Sequence, residues 1–397
     1  MGAELVAAGH ELTVITTRKG DYPFIDPQLI REVAPKIRVI RTRTPSFGHG
    51  IKLLSGKGGD IPYGSFKAEE GASLTKRLML WVRRNLVFPD ARVVWNPFLY
   101  RAALSELRKG KYDALITSGP PQSTHLVGYR LQRERHIPWM ADFRDPWTQV
   151  VYLVETPPWA PVFAQLRRLE RRIVADADAV LTVSQAIADE LPPGKKHVIR
   201  NGFRANEFAG MEYRPGNRFR IKYIGTLTAG RELGPILLAV NTVSREYPVT
   251  MSFIGAMPGI PSEWHTTYPH IAFENQSFMP HREALAEAVD AEALLLVINR
   301  YSGSKGYLTM KLFEYAGSRT PVLGVGPTDC EAAQVLAQFN AGTMVDYVDT
   351  AGMETFLRGL AGQWKSGSSR RNERDLSALT ASGLAAELVR IAQGLKA

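Results

Sequence analysis

The sequence predicts an α/β protein of two domains built on parallel sheets, and three observations carry that expectation. Its 397 residues exceed what one hydrophobic core organises, which suggests two domains of roughly 200 residues each. Short apolar runs such as Ala293–Asn299 (ALLLVIN) are of the kind that forms parallel strands buried on both faces. These runs lead into glycine-containing loops and then helices, most clearly over Gly303–Val322 (GSKGYLTMKLFEYAGSRTPV): loop, short helix, turn, buried strand. Composition agrees, with 22% charged and 45% hydrophobic residues, as in a globular soluble chain. The single cysteine, Cys330, excludes an intrachain disulfide and points to a reducing cytosol. No apolar run is long enough to span a membrane. A net charge of +10 calls for an anionic partner: nucleic acid, anionic lipid or a phosphorylated substrate.

MGAELVAAGHELTVITTRKG opens the chain as the latter part of a helix, a Gly9-His10 turn and a strand at Leu12–Thr16. Lys36–Arg43, rich in β-branched residues, is a second strand, and residues 44–72 read as loop. Leu74–Pro89 (LTKRLMLWVRRNLVFP) is a helix with Leu74, Leu78, Trp81, Val82 and Leu86 on one side and Lys76, Arg77, Arg83 and Arg84 supplying charge. The pattern suits a core-packing helix with a solvated basic face, or one lying in a membrane surface. Phe163–Val174 (FAQLRRLERRIV) is a second basic helix, and like charges at this density suit anionic lipid. Between them, Ala114–Thr117 is a strand, followed by a Gly119-Pro120-Pro121 turn and a helix capped by Ser123. Ile137–Ala141 is the next strand and ends in the cluster Asp142-Phe143-Arg144-Asp145. Ligands of open α/β sheets bind at the carboxyl ends of strands, where Ser118 and this cluster fall. The alternative is a salt-bridged loop that closes the strand. His125, on the intervening helix, reads as a satisfied partner or as a catalytic group. Asp176–Ser184 is a helix end and a strand, and Val198–Phe203 (VIRNGF) is the last strand of this domain.

Residues 204–217, rich in Gly, Pro and charge, form a linker between a first domain at 1–203 and a second at 218–376. The second domain opens on the strand Phe219–Gly225 and the loop GTLTAGREL. Gly225 lets a backbone approach a phosphate, and Arg231 near the following helix can clamp it. Val249–Ile254 with Gly255 repeats the pattern, and Phe278-Met279-Pro280-His281 precedes the helix Arg282–Val289. On the helix after the 303–307 loop, Leu308, Leu312, Tyr315 and Ala316 are spaced to face a core, while Lys311 and Glu314 share another face. That pair is either an i,i+3 salt bridge or part of a nucleotide-diphosphate cradle. In the second reading the helix N-terminus and Lys311 hold phosphate and Glu314 accepts two vicinal ribose hydroxyls. A last helix runs from about Ser377, in the segment 377–397. No GxGxxG is present, which argues against a dinucleotide cofactor.

KLFEYAGSRTPVL, "SGPPQSTH", "PWMADFRDPW" and VIRNG together resemble the family 4 (group 1) glycosyltransferases, in their bacterial polysaccharide branch. The resemblance implies the GT-B fold, two Rossmann-like domains with parallel sheets facing a central cleft, with Lys311 and Glu314 turned to it and the 377–397 helix crossing back to the first domain. It implies a nucleotide-diphospho sugar donor, a glycan or polyprenyl-lipid-linked acceptor, retention at the anomeric carbon, no cofactor and no metal. Contact with an anionic membrane surface follows, and a peripheral place at the cytoplasmic face of the membrane; nucleic acid is excluded as a partner. The Asp176-Ala177-Asp178 triplet, which looks like a metal-binding D-x-D, is then a false positive. On the same basis Arg231, Lys311, Arg144 and Asp145 are the catalytic candidates. Gly225, Thr226, Phe278, Pro280, Ser304, Gly306, Leu312 and Glu314 are donor-site candidates, and Ser118, His125 and Asp142 acceptor-side ones.

Arg144-Asp145 falls where other members have a His-Asp pair, only Arg231 matches the Arg and Lys of the family's phosphate loop, and two larger departures from the family pattern follow. The family's donor motif has two glutamates, and where the first would stand, contacting the donor hexose, this chain has Gly306. The family's first strand and glycine loop are not found ahead of Gly2, so the first-domain sheet is expected to lack a central strand. Val14, Ile15, Leu115 and Ile116 would then want a neighbour, and the chain is expected to be poorly soluble or inactive. A non-catalytic or partner-dependent homologue, or a sugar-nucleotide epimerase of the same fold, are the alternative functions.

Overall fold

The computed structural model describes residues 1–18, 37–44, 74–226, 233–255, 259–300, 304–306, 308–368 and 374–395. The chain divides into two compact units, Met1–Arg200 with Ala385–Ala397, and Asn201–Leu384. Residues 204–217, expected as a linker, belong to the second unit, where Phe208 meets Phe203 edge-on with ring centres 5.7 Å apart.

The first unit runs α1 (Gly2–Ala7), β1 (Thr13–Thr17), β2 (Arg38–Thr42), α2 (Leu74–Asn85), α3 (Asn96–Lys109), β3 (Leu115–Gly119) and α4 (Thr124–Arg135). It continues with β4 (Trp139–Phe143), α5 (Val151–Glu155), α6 (Ala160–Asp176), β5 (Ala179–Thr182), α7 (Gln185–Glu190) and β6 (Lys196–Val198). All its strand pairings are parallel, in a two-stranded sheet β1-β2 and a four-stranded sheet β3-β4-β5-β6. β4 and β5 are buried along nearly their whole length, as apolar runs covered by helices should be. Helix α4 lies directly on β4 because residue 128 is glycine: a Cβ there would stand 2.3 Å from the indole nitrogen of Trp139. That indole donates to the Thr117 hydroxyl at 2.8 Å, so the buried N–H is satisfied.

Among the described residues, β1 and β3 do not pair. A cavity of about 780 Å³ is lined by residues of both strands, among them Val14, Ile15, Leu115 and Ile116. Val14 and Ile116 are 37% and 39% exposed, high for apolar residues on parallel strands.

The second unit runs β7 (Phe219–Ile224), α8 (Gly234–Val243), β8 (Val249–Ile254), α9 (Ser262–Thr267), β9 (Ala272–Gln276) and α10 (His281–Val289). Then come β10 (Ala293–Val297), α11 (Met310–Gly317), β11 (Val322–Val325), α12 (Glu331–Gln338), β12 (Gly342–Val345) and α13 (Thr350–Lys365). The final helix, α14, spans Ala381–Gly394. One parallel sheet of order β12-β11-β10-β7-β8-β9 results, the doubly wound order 3-2-1-4-5-6 read from the other edge. Alternate residues of β10 serve opposite layers. Ala293, Leu295 and Val297 pack with Ile236, Leu237 and Met353 of α8 and α13. Leu294 and Leu296 pack with Leu312 and Leu336 of α11 and α12.

Chain ends of elements differ from the sequence expectation where side chains intervene. The strand expected at Val198–Phe203 stops at Val198, and Phe203 instead forms an isolated parallel bridge with Thr380. The helix expected from Ser377 begins at Ala381, after a 3-10 turn at Ser377–Leu379, because the Thr380 hydroxyl accepts from Gly383 N–H at 3.1 Å. Ser123 does precede α4, but its side chain makes no cap bond; it donates to Asp90 at 2.9 Å instead.

The sheet of the second unit opens at its centre. The ladder between β7 and β10 pairs Ala293 with Ile221 and Leu294 with Lys222, the start of β10 against the middle of β7. Farther along, the Tyr315 hydroxyl enters the gap, accepting from Ile224 N–H at 3.1 Å and lying 3.3 Å from Ile224 C=O. Replacing Tyr315 by Phe leaves these backbone groups without that partner, which costs about 1–3 kcal/mol. Denaturant titration of Tyr315→Phe should show that loss with an unchanged m-value; unchanged stability would contradict the wedge role.

Candidate active site

The opening between β7 and β10 is where the order of the sheet reverses, the position at which open α/β sheets take ligands. β7 ends in Gly225 (φ +118°) and β8 in Gly255 (φ +131°), a backbone region that favours glycine. A Cβ on Gly225 would lie 2.3 Å from Nζ of Lys311, so the bare backbone is what admits the ammonium there. Lys311 sits over the Tyr223 ring, 4.7 Å from its centre, and donates to the Tyr223 hydroxyl at 3.3 Å. The tyrosine in turn donates to Thr226 C=O at 3.0 Å, tying the loop after β7 to the lysine's support. Helix α11 starts where the Thr309 hydroxyl accepts from Leu312 N–H, with Leu312, Phe313, Tyr315 and Ala316 buried beneath. Leu312, a donor-site candidate, is wholly buried, so only its main chain is near the surface.

Glu314 stands one turn beyond Lys311 and points to His281 at the start of α10, with Nε2 3.9 Å from its carboxylate. Burial raises the Glu314 carboxyl above its ordinary value; His281 and Lys311 pull against this and Glu207 adds to it. Phe278 is 66% exposed, and Pro280 directly precedes α10. Gly306 lies in a 3-10 turn with Ser304 at its start. Arg231 lies outside the described residues. The arrangement offers a cation, a carboxylate and two bare backbone turns at one end of one sheet. Such a set can hold a diphosphate and a vicinal diol.

In the first unit, Ser118, next to last in β3, pairs with Asp142 of β4, and its hydroxyl donates to the Asp142 carboxylate at 2.7 Å. Desolvation raises the carboxyls of Asp142 and Asp145 above the ordinary value, against the pull of Arg144 between them. Ser118, Asp142 and Arg144 all line the 780 Å³ cavity, so strand ends that are distant in sequence bring these candidates together.

Residues 1–202 match the glycosyl transferase 4-like domain family, over half of the chain. The chain belongs to this family. No curated protein sequence is similar enough to match. Among solved structures, sucrose-phosphate synthase from Thermosynechococcus elongatus is similar at 14% identity and a TM-score of 0.57, over 100% of this chain and 91% of that one. Anabaena HepE in complex with UDP and glucose is similar at 13% identity and a TM-score of 0.52, over 100% and 95%. The trehalose 6-phosphate synthase of Burkholderia multivorans is similar at 12% identity and a TM-score of 0.52, over 97% and 99%. These likenesses show the GT-B fold, with its two Rossmann-like domains. With the family, the chain is an enzyme of glycosyl transfer.

Within this family member the remaining candidates have other placements. His125 is wholly buried: Nδ1 lies 2.8 Å from the Thr117 hydroxyl, Nε2 3.0 Å from Gln122, and the ring stacks on Phe143 at 4.5 Å. Asp178 accepts from Trp139 N–H at 2.8 Å and from Gln132 at 2.9 Å, anchoring the start of β4. Asp176 lies 3.8 Å from Arg172 on its own helix. Among the described residues, no group of three or more His, Cys, Asp or Glu could hold a metal ion, and no helix is long and apolar enough to cross a membrane. Sequence reading missed Asp90, whose carboxylate takes Ser123 N–H at 2.7 Å and Arg92 N–H at 2.9 Å and fixes the start of α4. It also missed the tyrosine pair Tyr223 and Tyr315, since tyrosine spaced as a core residue carries no separate signal.

The apolar side of α2 is turned to solvent: Leu78, Trp81 and Leu86 are 61%, 43% and 67% exposed, while Leu80 is buried. Asn85 accepts from Trp159 N–H at 2.6 Å and so places the exposed Trp159 at the end of the helix. Trp159 leads directly into α6, whose Arg167, Arg168, Arg171 and Arg172 are exposed.

Burial pushes the His125 imidazole down from 6.5 to about 3. In the unfolded chain it takes a proton below about 6.5. Stability should therefore be unaffected by this group above that pH and fall by up to about 1.4 kcal/mol per pH unit as pH drops towards 3. Urea midpoints across this range for wild type and His125→Asn check it: the variant should lose the slope, and an equal slope would contradict the buried neutral imidazole.

Proposed function

We propose that this glycosyltransferase moves a sugar from a nucleotide-diphospho sugar to a glycan or polyprenyl-lipid-linked acceptor, with retention and without a metal or cofactor. The observation that carries the reading is the Lys311 ammonium lodged against the bare backbone of Gly225 at the sheet's reversal point, with Glu314 one turn on. HepE, similar in fold, is described with UDP and with UDP-glucose, which supports a nucleotide-sugar donor. In the proposed reaction the anomeric C–O bond to the diphosphate breaks and the acceptor oxygen bonds to the same face. The acceptor proton goes to the departing diphosphate. Lys311, with Arg231, stabilises the charge gathering on that diphosphate, as preorganised cations do in a site with little water. Glu314 holds the ribose. Arg144, whose guanidinium stays charged and cannot serve as a base, holds phosphate or sugar hydroxyls, with Asp145, Asp142 and Ser118 on the acceptor side.

The exposed Leu78, Trp81, Leu86 and Trp159 beside a basic helix support a peripheral place on an anionic membrane at its cytoplasmic face. A second reading, a non-catalytic or partner-dependent homologue, draws on Gly306 standing where the family has a hexose-contacting glutamate.

A donor screen with purified protein and a lipid-linked acceptor tests the function; turnover of no nucleotide sugar favours the second reading. With the donor found, Lys311→Ala should lower kcat by about a hundredfold or more with little change in melting temperature. A chelator should leave the rate unchanged, and loss with rescue by manganese would refute the metal-free reaction. Flotation with anionic and neutral liposomes should show anionic binding that fades with salt and is lost in Trp81→Ser with Trp159→Ser. Equal binding to both liposomes, or none, contradicts the membrane reading.

A further inference from the structure

We propose that His281 is a positioning residue for donor recognition: its imidazole stands between Glu207 and Glu314 and, when protonated, keeps the Glu314 carboxylate ionised and aimed for the ribose. The inference deepens the donor reading above and rests on it. His281 Nε2 is 3.6 Å from Glu207 and 3.9 Å from Glu314, so two carboxylates converge on one ring. Glu207 is itself held by Arg204, on the same 3-10 turn, at 3.0 Å. A chain of alternating charge, Arg204–Glu207–His281–Glu314, thus runs from the segment after Asn201 into the nucleotide cradle.

The chemistry of Glu314 requires such support. An ionised carboxylate accepts from the two hydroxyls of a vicinal diol with one oxygen each, in charge-assisted bonds; protonated, one of those oxygens becomes a donor and the charge is lost. Burial and the like charge of Glu207 both favour the protonated form of Glu314, and His281 is the first group opposing them, with Lys311 after it. The Glu207 carboxyl is held below its ordinary value, first by His281, whose Nε2 stands 3.6 Å away, so the imidazole serves both acids. The charged groups recorded against the ring are Glu207 from the 3-10 turn and Glu314 from α11; behind them, Arg204 pairs with Glu207 and Lys311 acts on Glu314. Arg282, next on its own helix, is directed to Ala209 C=O at 3.5 Å. His281 is half-exposed at the first position of α10, so exchanging it disturbs no core contact.

The sign follows from two protons. As pH falls, Glu314 gains one and ribose recognition is lost; as pH rises, Glu314 stays ionised, but His281 gives one up and no longer aims the carboxylate. Affinity for a ribonucleoside diphosphate therefore passes through a maximum. Removing the imidazole should shift the acid limb to higher pH, and a permanent cation should abolish the alkaline limb.

The experiment measures calorimetric affinity of the full chain for UDP, GDP and ADP, each against its 2′,3′-dideoxy analogue, from pH 5 to 9. Wild type, His281→Gln and His281→Arg are compared, with melting temperature as the control for folding. Wild type should prefer the ribonucleotide. His281→Gln should bind it about tenfold more weakly, with the acid limb moved up and dideoxy affinity unchanged. His281→Arg should restore the preference and hold it to high pH. A His281→Gln protein that prefers the ribonucleotide as strongly as wild type, or that loses dideoxy affinity equally, overturns the positioning role alone. A wild type that binds ribo and dideoxy forms equally, or none of the three nucleotides, overturns the ribose reading of Glu314 and this proposal with it.

Discussion

The parting of β7 from β10 is the constraint on which the geometry around Lys311 depends. A parallel sheet whose strand order reverses must leave a crevice at the reversal, because the two connections depart in opposite directions. Here the crevice begins after two residue pairs, and Tyr315 supplies hydrogen bonds that the ladder would have made to Ile224. The wedge allows the strands to part without leaving buried backbone groups unpartnered. Because Tyr315 belongs to α11, the same turn of helix that closes the ladder also presents Lys311 and Glu314 at the crevice.

Each charged group at that crevice is controlled by what lies under it. The Lys311 stem rests on Tyr223 and its ammonium fits only because Gly225 has no side chain. Glu314 is kept from open solvent, which makes its charge depend on neighbours rather than on water. In the first unit the same principle works through Asp142 and Asp145, whose partial burial is answered by Arg144. His125 shows the opposite outcome, an ionisable residue so completely enclosed that it stays neutral and structural.

The first unit is less closed than the second. The second has one continuous sheet covered on both faces, whereas the first has two sheets with a cavity lined by β1 and β3. On α2, Leu78 and Trp81 likewise stand in solvent, with Leu86 just beyond the helix, while Leu80 turns inward. Exposed aromatic residues next to arginines are a combination of apolar anchor and positive field, which is costly in water and favourable at an anionic interface.

By itself, the sequence determined the parallel α/β class, the two halves and most strands, since buried parallel strands such as Ala293–Val297 and Val249–Ile254 are short apolar runs that lead into glycine-containing loops. It also placed Lys311 and Glu314 on one helix face and Ser118 and Asp142 at strand ends, because helical period and strand boundaries are local properties. Local pattern did not fix where elements end: the Thr380 hydroxyl and the bridge from Phe203 to Thr380 moved two of those boundaries through contacts made only in the fold. Nor did it show which way α2 faces or that His125 is sealed off, because either side of an amphipathic helix can meet a core until the neighbours are known. Only the tertiary structure brought His281 and Glu207 to Glu314 and laid Tyr223 and Gly225 under Lys311. Those contacts join residues far apart in the chain, and the electrostatics of a carboxylate are set by what surrounds it in space.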